Sequence, residues 1–339
     1  MKRRTTGGTS TIEDVARLAG VSTASVSRVI NTPEKVGPEI RARVQEALKE
    51  LRYLRNGAAR ALAARRSHTV GAVVPTLGAA IFATGVEALQ RRLEGHGYAL
   101  LVSNSRYDPE LEARQVRTLI ERGIDGIVLV GHRRSADVYR LLNENRVPYV
   151  CTYTYAAGPH ACVGFDHAAA ARQIVDYLLD LGHGEFGVIT TPPRENDRIA
   201  GRLEGVLQGL SAAGLPRPEI VEADYSIADG RSALRVLLSL APRVTAVVCT
   251  TDGHAVGALA EARAQRIEVP QRLSITGFDD LELSANAEPS LTTVAVPARE
   301  IGERAADLII ARIDGRQVPH LVELRTTLSV RGSTGRGPG

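Results

Sequence analysis

Residues 11–31 read TIEDVARLAGVSTASVSRVIN, and their pattern decides the fold of the amino-terminal part. Thr11 is placed to cap a helix, with Asp14 three residues on to return the bond in a variant capping box. Ile12, Val15, Ala16 and Ala19 then share one face of a short helix. Gly20, free to take a left-handed conformation, stops it. Ser22 caps a second helix with Val26, Val29 and Ile30 on its inner side and Thr23, Ala24, Ser27 and Arg28 outward. Two short helices joined by Ala19-Gly20-Val21 have helix-turn-helix geometry, in which the second helix enters a DNA major groove. Arg28 can fork onto a guanine edge or grip a phosphate, and Thr23 and Ser25 can do either more weakly.

Moving outward, Asn31-Thr32-Pro33 ends the second helix and Gly37-Pro38-Glu39 starts a third, with Pro at the first turn where its missing N–H costs nothing. The apolar face of that helix is Ile40, Val44, Ala47, Leu48 and Leu51. Residues 1–10 are small and basic without period and read as a disordered arm. Residues 57–66 form an Ala-rich stretch that reads, blandly, as a linker helix.

Charge speaks against a generic three-helix bundle with a solvated face. The 339 residues carry a net charge of only +4. Residues 1–66, however, hold 14 Lys and Arg against 6 Asp and Glu, an excess of eight positive charges, and the remainder is at −4. The positive excess lies entirely in a small module joined to an ordinary acidic body.

From Thr69 the pattern changes. Seven strand-like runs, at 70–75, 98–104, 126–130, 148–153, 186–190, 246–250 and 273–278, are separated by helical stretches such as 81–95, 108–122, 166–181, 198–213 and 253–266. Repeated β-α at this spacing predicts doubly wound parallel sheets covered by helices, and the length predicts two lobes sharing a cleft. The closing STGRGPG reads as a loose tail at 333–339.

Other classes are excluded. Cys151, Cys162 and Cys249 are odd in number and far apart, giving neither a disulfide framework nor a metal knuckle, which places the chain in a reducing compartment. No apolar run follows the basic start and none reaches the ~18 residues of a membrane span. The expectation is a cytoplasmic protein with no membrane partner. Gly182-His183-Gly184-Glu185-Phe186-Gly187 matches G-x-G-x-x-G, but it follows a helix and opens a strand, the reverse of a dinucleotide fingerprint. The eight histidines lack metal-ligand spacing and no catalytic set emerges, so neither cofactor nor enzyme activity is expected.

Residues 11–66 resemble the DNA-binding headpiece of the lactose/galactose repressor family of bacterial regulators. The matching text is DVA-x-x-AG-V-S-x-x-x-VSRV-x-N, then V-x-x-x-x-R-x-x-V-x-x-A, then Y-x-x-N-x-x-A-R-x-L. LGHGEFGVI, NDRIAGRLEG, TDGHAVGAL, VPQRLSITGFDD and PSLTTV extend the resemblance to about residue 332. It implies a helix-turn-helix domain at 11–55, a hinge helix at 56–66 and a periplasmic-binding-protein-like body at 67–332. The first lobe is expected at about 68–163 and 292–322, and the second at about 164–291 and 323–332.

The resemblance also implies roles. Thr11, Ser22, Thr23, Ala24, Ser25, Ser27, Arg28 and Asn31 form the operator-contacting set of the headpiece, with Thr23, Ala24 and Arg28 on bases. Asn56, Ala59, Arg60 and Leu62 lie in the hinge, where Leu62 matches a leucine wedged between base pairs and Ala59 the small residue beside it; such a wedge unstacks a step and bends the duplex. Arg52 and Arg55 stand where the family usually has Gly and Pro, and Gly57 weakens the first hinge turn.

In a two-lobed α/β body, ligands sit beyond the carboxyl ends of strands. Arg202 matches an arginine that bonds effector oxygens and Asp279 an acid that accepts from effector hydroxyls. Phe82 and Tyr225 match cleft walls, Thr251 stands where an Asn is frequent before the retained Asp252, Tyr153 and Thr154 replace a frequent Asp-Arg pair, and Arg198 adds a positive group. The function implied is a homodimeric transcriptional regulator, usually a repressor, of a pseudo-palindromic operator, controlled by a sugar or sugar acid. Two alternatives remain: a solute-binding transport protein, which has no use for a basic headpiece, and an α/β enzyme, which needs a catalytic set.

Overall fold

The computed structural model describes residues 10–53, 66–194 and 196–338. The chain divides into two units, Met1–Ser67 and His68–Gly339.

In the first unit, α1 (Ile12–Ala19), α2 (Thr23–Asn31) and α3 (Pro38–Glu50) follow the expected boundaries, with a short 3-10 turn at Pro33–Lys35. Thr11 and Asp14 form the capping box: the Thr11 N–H donates to Asp14 Oδ2 at 3.0 Å, and the Asp14 N–H to Thr11 Oγ1 at 3.3 Å. Gly20 takes the left-handed conformation at φ 62°, and Ser22 caps α2 through the Ser25 N–H. Val15, Val26 and Val44 are fully buried at the meeting point of the three helices, with Ala16, Ala19, Val29 and Ala47 around them. Full burial of such side chains contributes roughly 1.5–3 kcal/mol each. Ile40, expected on the inner face of α3, is instead 37% exposed, in the first turn of the helix and outside the headpiece core. Ser10, assigned to the loose arm, donates from Oγ to the Leu51 carbonyl at 2.8 Å. Residues 1–9 and the expected hinge positions Asn56, Ala59, Arg60 and Leu62 lie outside the described residues.

The second unit holds two six-stranded sheets. The first contains β1 (Thr69–Val74), β2 (Ala99–Asn104), β3 (Gly126–Val130), β4 (Tyr149–Thr152), β5 (Cys162–Gly164) and β11 (Leu321–Glu323), in the order β11-β5-β4-β3-β1-β2 and all parallel. The second contains β6 (Phe186–Thr190), β7 (Glu219–Glu222), β8 (Ala246–Cys249), β9 (Ser274–Asp279), β10 (Thr292–Ala295) and β12 (Thr327–Ser329), in the order β12-β10-β9-β8-β6-β7. Only β12 runs antiparallel to its neighbour. The helices are α4 (Ala80–Gly95), α5 (Pro109–Glu121), α6 (Ala136–Glu144), α7 (His167–Asp180), α8 (Asp197–Ala212), α9 (Ile227–Leu240), α10 (Asp252–Ala264), the short α11 (Glu282–Ala285) and α12 (Ala298–Ile313). Val/Ile-rich strands buried on both faces, such as GIVLV in β3, are what a parallel sheet covered on both sides requires.

The chain crosses between lobes three times: after β5, after β10 and after β11. Two expectations change. The return to the first lobe was expected near residue 292, but β10 pairs with β9, Thr292 opposite Thr276, and so belongs to the second lobe. The tail expected to be loose is packed. Ser333 is fully buried, with Oγ donating to the Ile275 carbonyl at 2.6 Å, and the Gly337 N–H donates to the Leu181 carbonyl at 2.8 Å. A glycine-rich segment without apolar side chains still holds a fixed course when its backbone groups find partners.

Candidate functional site

In the first unit, Thr23, Ala24, Arg28 and Asn31 are exposed while Val26 and Val29 of the same helix are buried. Ala24, Arg28 and Asn31 follow each other at i, i+4 and i+7, one ridge of α2. Ser25 and Ser27 flank it half-buried, and Asn31 Nδ2 donates to Ser27 Oγ at 3.3 Å. No acidic residue lies on α2, so nothing on that helix neutralises Arg28. Thr11 and Ser22 are exposed and already bonded to their own helix starts. Their side chains set the entry angle of α1 and α2 as much as they offer contacts.

In the second unit, the carboxyl ends of both sheets face a small cavity of about 20 Å³, room for a water molecule or two. Seven of the eight expected effector residues line it: Phe82, Tyr153, Arg198, Arg202, Tyr225, Thr251 and Asp279. Each comes from the end of a strand, the loop after it or the first turns of the helix that follows, which is why residues so distant in sequence meet.

Arg202 is the centre of the polar network. Its Nη2 donates to Asp279 Oδ1 at 3.1 Å, Nη1 to the Thr250 carbonyl at 2.6 Å and Nε to His167 Nδ1 at 3.3 Å, and the guanidinium lies 3.8 Å from the Phe278 ring centroid. His167 Nε2–H donates to the Tyr153 carbonyl at 2.9 Å. With Nδ1 accepting and Nε2 donating, the ring is held as a neutral tautomer, and burial drives its pKa well below the ordinary histidine value. Burial also pushes the Asp279 carboxyl up to about 7, against the opposing pull of Arg202. Tyr225 donates to Asp279 Oδ2 at 3.5 Å.

Tyr153 donates to the Ile81 carbonyl at 3.0 Å and meets Phe82 edge-on, centroids 5.3 Å apart. Gly85 makes room for it, since a Cβ there would fall 2.1 Å from the Tyr153 hydroxyl oxygen. Arg198 is buried, not a solvated surface charge, and donates from Nη1 to Asp197 Oδ1 at 2.7 Å. Thr251 caps α10 by accepting from the His254 N–H at 3.2 Å.

Asp252 is the exception. Its carboxylate accepts from Thr293 Oγ1 at 2.6 Å, from the Leu281 N–H at 2.9 Å and from Ser284 Oγ, and it does not line the cavity. It ties α10 to β10 and to the segment after β9, a structural task. The cavity also gains Tyr107, Ile81, Asn196 and Ile199, which were not singled out. Tyr107 sits at a left-handed φ of 59° before α5, and burial raises its phenol pKa while Arg198 and Arg202 oppose the shift. Nothing local in the sequence marks it. Asn196 caps α8, accepting from the Ile199 N–H at 3.3 Å; an Asn directly before a helical stretch is the sequence signal for it.

The glycine run 182–187 joins the end of α7 to β6, the helix-to-strand order that does not suit a dinucleotide site. Among the described residues no three His, Cys, Asp or Glu gather as a metal site, and no helix is long and apolar enough to cross a membrane.

The sequence pattern of bacterial regulatory proteins of the lacI family matches residues 11–56, and that of a periplasmic binding protein-like domain matches residues 175–334. The chain is 33% identical to the HTH-type transcriptional repressor CytR of Escherichia coli (strain K12) over 338 residues, 98% of this chain and 99% of that protein. The chain belongs to the lacI family. Among solved structures, a lac repressor dimer bound to operator and the anti-inducer ONPF superposes with a TM-score of 0.88 at 26% identity, covering 97% of this chain and 100% of that one. A complex of the transcriptional regulator CelR with cellobiose gives a TM-score of 0.71 at 31% identity, covering 96% and 99%. As a lacI-family member with both parts present, the chain is a DNA-binding transcriptional regulator with an effector-binding body, and the transport-protein alternative is not favoured.

Proposed function

We propose that the chain works as a homodimeric repressor of a pseudo-palindromic operator, and that a sugar or sugar acid bound between its lobes sets its DNA affinity. The observation that carries the reading is the open ridge of α2: Thr23, Ala24, Arg28 and Asn31 face solvent on a helix without acidic residues, held by a fully formed core. The operator-contacting set is that ridge with Thr11, Ser22, Ser25 and Ser27, joined by Asn56, Ala59, Arg60 and Leu62 of the hinge. Two headpieces related by a two-fold axis read two half-sites.

The effector set is Phe82, Tyr153, Arg198, Arg202, Tyr225, Thr251 and Asp279, with Tyr107 added. Asp279 and the tyrosine hydroxyls suit a ligand rich in hydroxyl groups, and the aromatic rings suit the apolar faces of a sugar. The carboxylate of a sugar acid is expected at Arg202; since that group is already bonded on three sides, Arg198 is the second guanidinium that can share it. For the dimer, the edge strand β2 exposes Leu101 and Val102, and α9 exposes Ile227, Val236 and Leu240. Val236 and Leu240, four residues apart on one face of α9, are the candidates for a contact between subunits. The protein acts on DNA in the cytoplasm.

DNase footprinting on the DNA upstream of the chain's own coding sequence tests the reading. A protected site with two-fold symmetry is expected, and a footprint that follows no sequence would defeat it.

A further inference from the structure

The two lobes are held together by contacts outside the expected effector set, and one of these reaches into the cavity. β3 of the first lobe runs out into Gly131, His132 and Arg133, and α8 of the second lobe begins at Asp197. Asp197 Oδ2 accepts from the His132 N–H at 2.7 Å and the Arg133 N–H at 3.2 Å, and His132 Nδ1 lies 2.8 Å from the same oxygen. The other oxygen, Oδ1, accepts from Arg198 Nη1 at 2.7 Å. One carboxylate therefore grips the opposite lobe with one oxygen and orients a cavity guanidinium with the other.

The fit is close. Gly131 has φ +76°, and a Cβ there would lie 2.1 Å from Arg198 Nη1 and 2.6 Å from Asp197 Oδ1. Burial works to raise the Asp197 carboxyl, but the bonds from His132 and the charge of Arg198 prevail and hold it well below the usual carboxylate range. It is thus an ionised acceptor, the stronger kind of hydrogen-bond partner. Arg133 Nη1 adds a second bridge to the Arg194 carbonyl at 3.3 Å. His132 Nδ1 is also 2.8 Å from Thr154 Oγ1, which fixes the ring from its own lobe.

We infer that Asp197 is a positioning residue that ties Arg198 to lobe closure: with the lobes together it fixes the guanidinium at the cavity, and with the lobes apart it loses the His132 and Arg133 amides, so that the carboxylate and the guanidinium on it are no longer set against the first lobe. The inference rests on the reading of the cavity as the effector site whose closure sets DNA affinity. An effector that engages Arg198 then selects the closed body, because the open body does not present that group in the same place. Coupling between two states requires a contact that differs between them, and this carboxylate supplies one.

The test compares the full chain with its Asp197→Ala variant by amide hydrogen exchange and by operator titration. Exchange at His132 and Arg133 is expected to rise roughly tenfold or more while amides inside β3, such as Val128, keep their protection. Operator affinity is expected to change by roughly fivefold or more, the scale of an ordinary allosteric coupling. Unchanged exchange at His132 and Arg133 overturns the latch, and increased exchange with unchanged operator affinity overturns its link to DNA binding. If Asp197→Ala loosens β3 as a whole, Asp197→Leu, which is of similar size and cannot accept either amide, carries the test under the same criteria. Failure of the unaltered chain to bind any operator defeats the DNA-binding reading, and the exchange data still decide the latch.

Discussion

Arg202 and Asp279 form an ion pair, Nη2 to Oδ1 at 3.1 Å, in which both side chains are almost wholly removed from solvent and the guanidinium also covers the Phe278 ring. Such a pair is costly to break from one side: above pH 7, where Asp279 is ionised, the remaining charge stays buried without its partner. Arg202→Met is therefore expected to destabilise the body by roughly 3 kcal/mol or more. Adding Asp279→Asn should recover part of that loss, a coupling visible in a double-mutant cycle by thermal unfolding. Strictly additive losses would mean that the two groups do not act as a pair.

The pH dependence of the same pair has a definite sign. The folded Asp279 carboxyl titrates at about 7, above its ordinary value. Between about pH 4 and 7 the folded body keeps a proton that the unfolded chain releases. This group's stabilisation is complete below that window and is lost as pH rises through 7. Buried His167, with its pKa lowered, works the other way, adding stability as pH rises towards the ordinary histidine value. The readout is therefore a difference: the stability of the unaltered chain relative to Asp279→Asn should fall from pH 4 to pH 7. A flat difference across that range contradicts the raised carboxyl.

Asp252 and Arg202 should behave as opposites when ligand binding is read. Asp252→Ala removes the anchor of Leu281, Ser284 and Thr293 and leaves donors unpaired, each at roughly 1–3 kcal/mol. Its melting temperature should drop sharply while calorimetry on the folded fraction gives near-normal effector affinity. A selective loss of effector affinity at normal stability would return Asp252 to the binding set.

Arg28→Ala should cost roughly 1–3 kcal/mol on operator DNA and much less on random DNA, as a base-reading arginine does. Equal loss on both would make it a phosphate contact. Circular dichroism should be unchanged, because Arg28 lies on the exposed side of α2.

The headpiece was legible almost residue by residue, because caps, glycine stop and apolar periodicity are all local: Thr11 with Asp14, Gly20, Ser22 and the Val15–Val26–Val44 core need no distant partner. The alternating body was legible as a class for the same reason. The lobe to which a strand belongs was not. The Thr292–Ala295 run looks like any short strand, and only its pairing with β9 assigns it. The tail failed similarly, since Ser333 and Gly337 are fixed by backbone partners in distant elements. In the cleft, Arg202 and Asp279 carried a motif, whereas Tyr107, His167 and Asp197 owe their places to chain segments that meet only in the fold.

The most direct test of the central claim is titration of the chain onto its own upstream DNA, followed by fluorescence anisotropy, with and without a panel of neutral sugars and sugar acids. Sequence-specific binding that at least one hydroxylated metabolite strengthens or weakens, and that Arg202→Met makes insensitive to that metabolite, is the predicted result. Binding indifferent to sequence, or specific binding that no member of the panel alters, would contradict it.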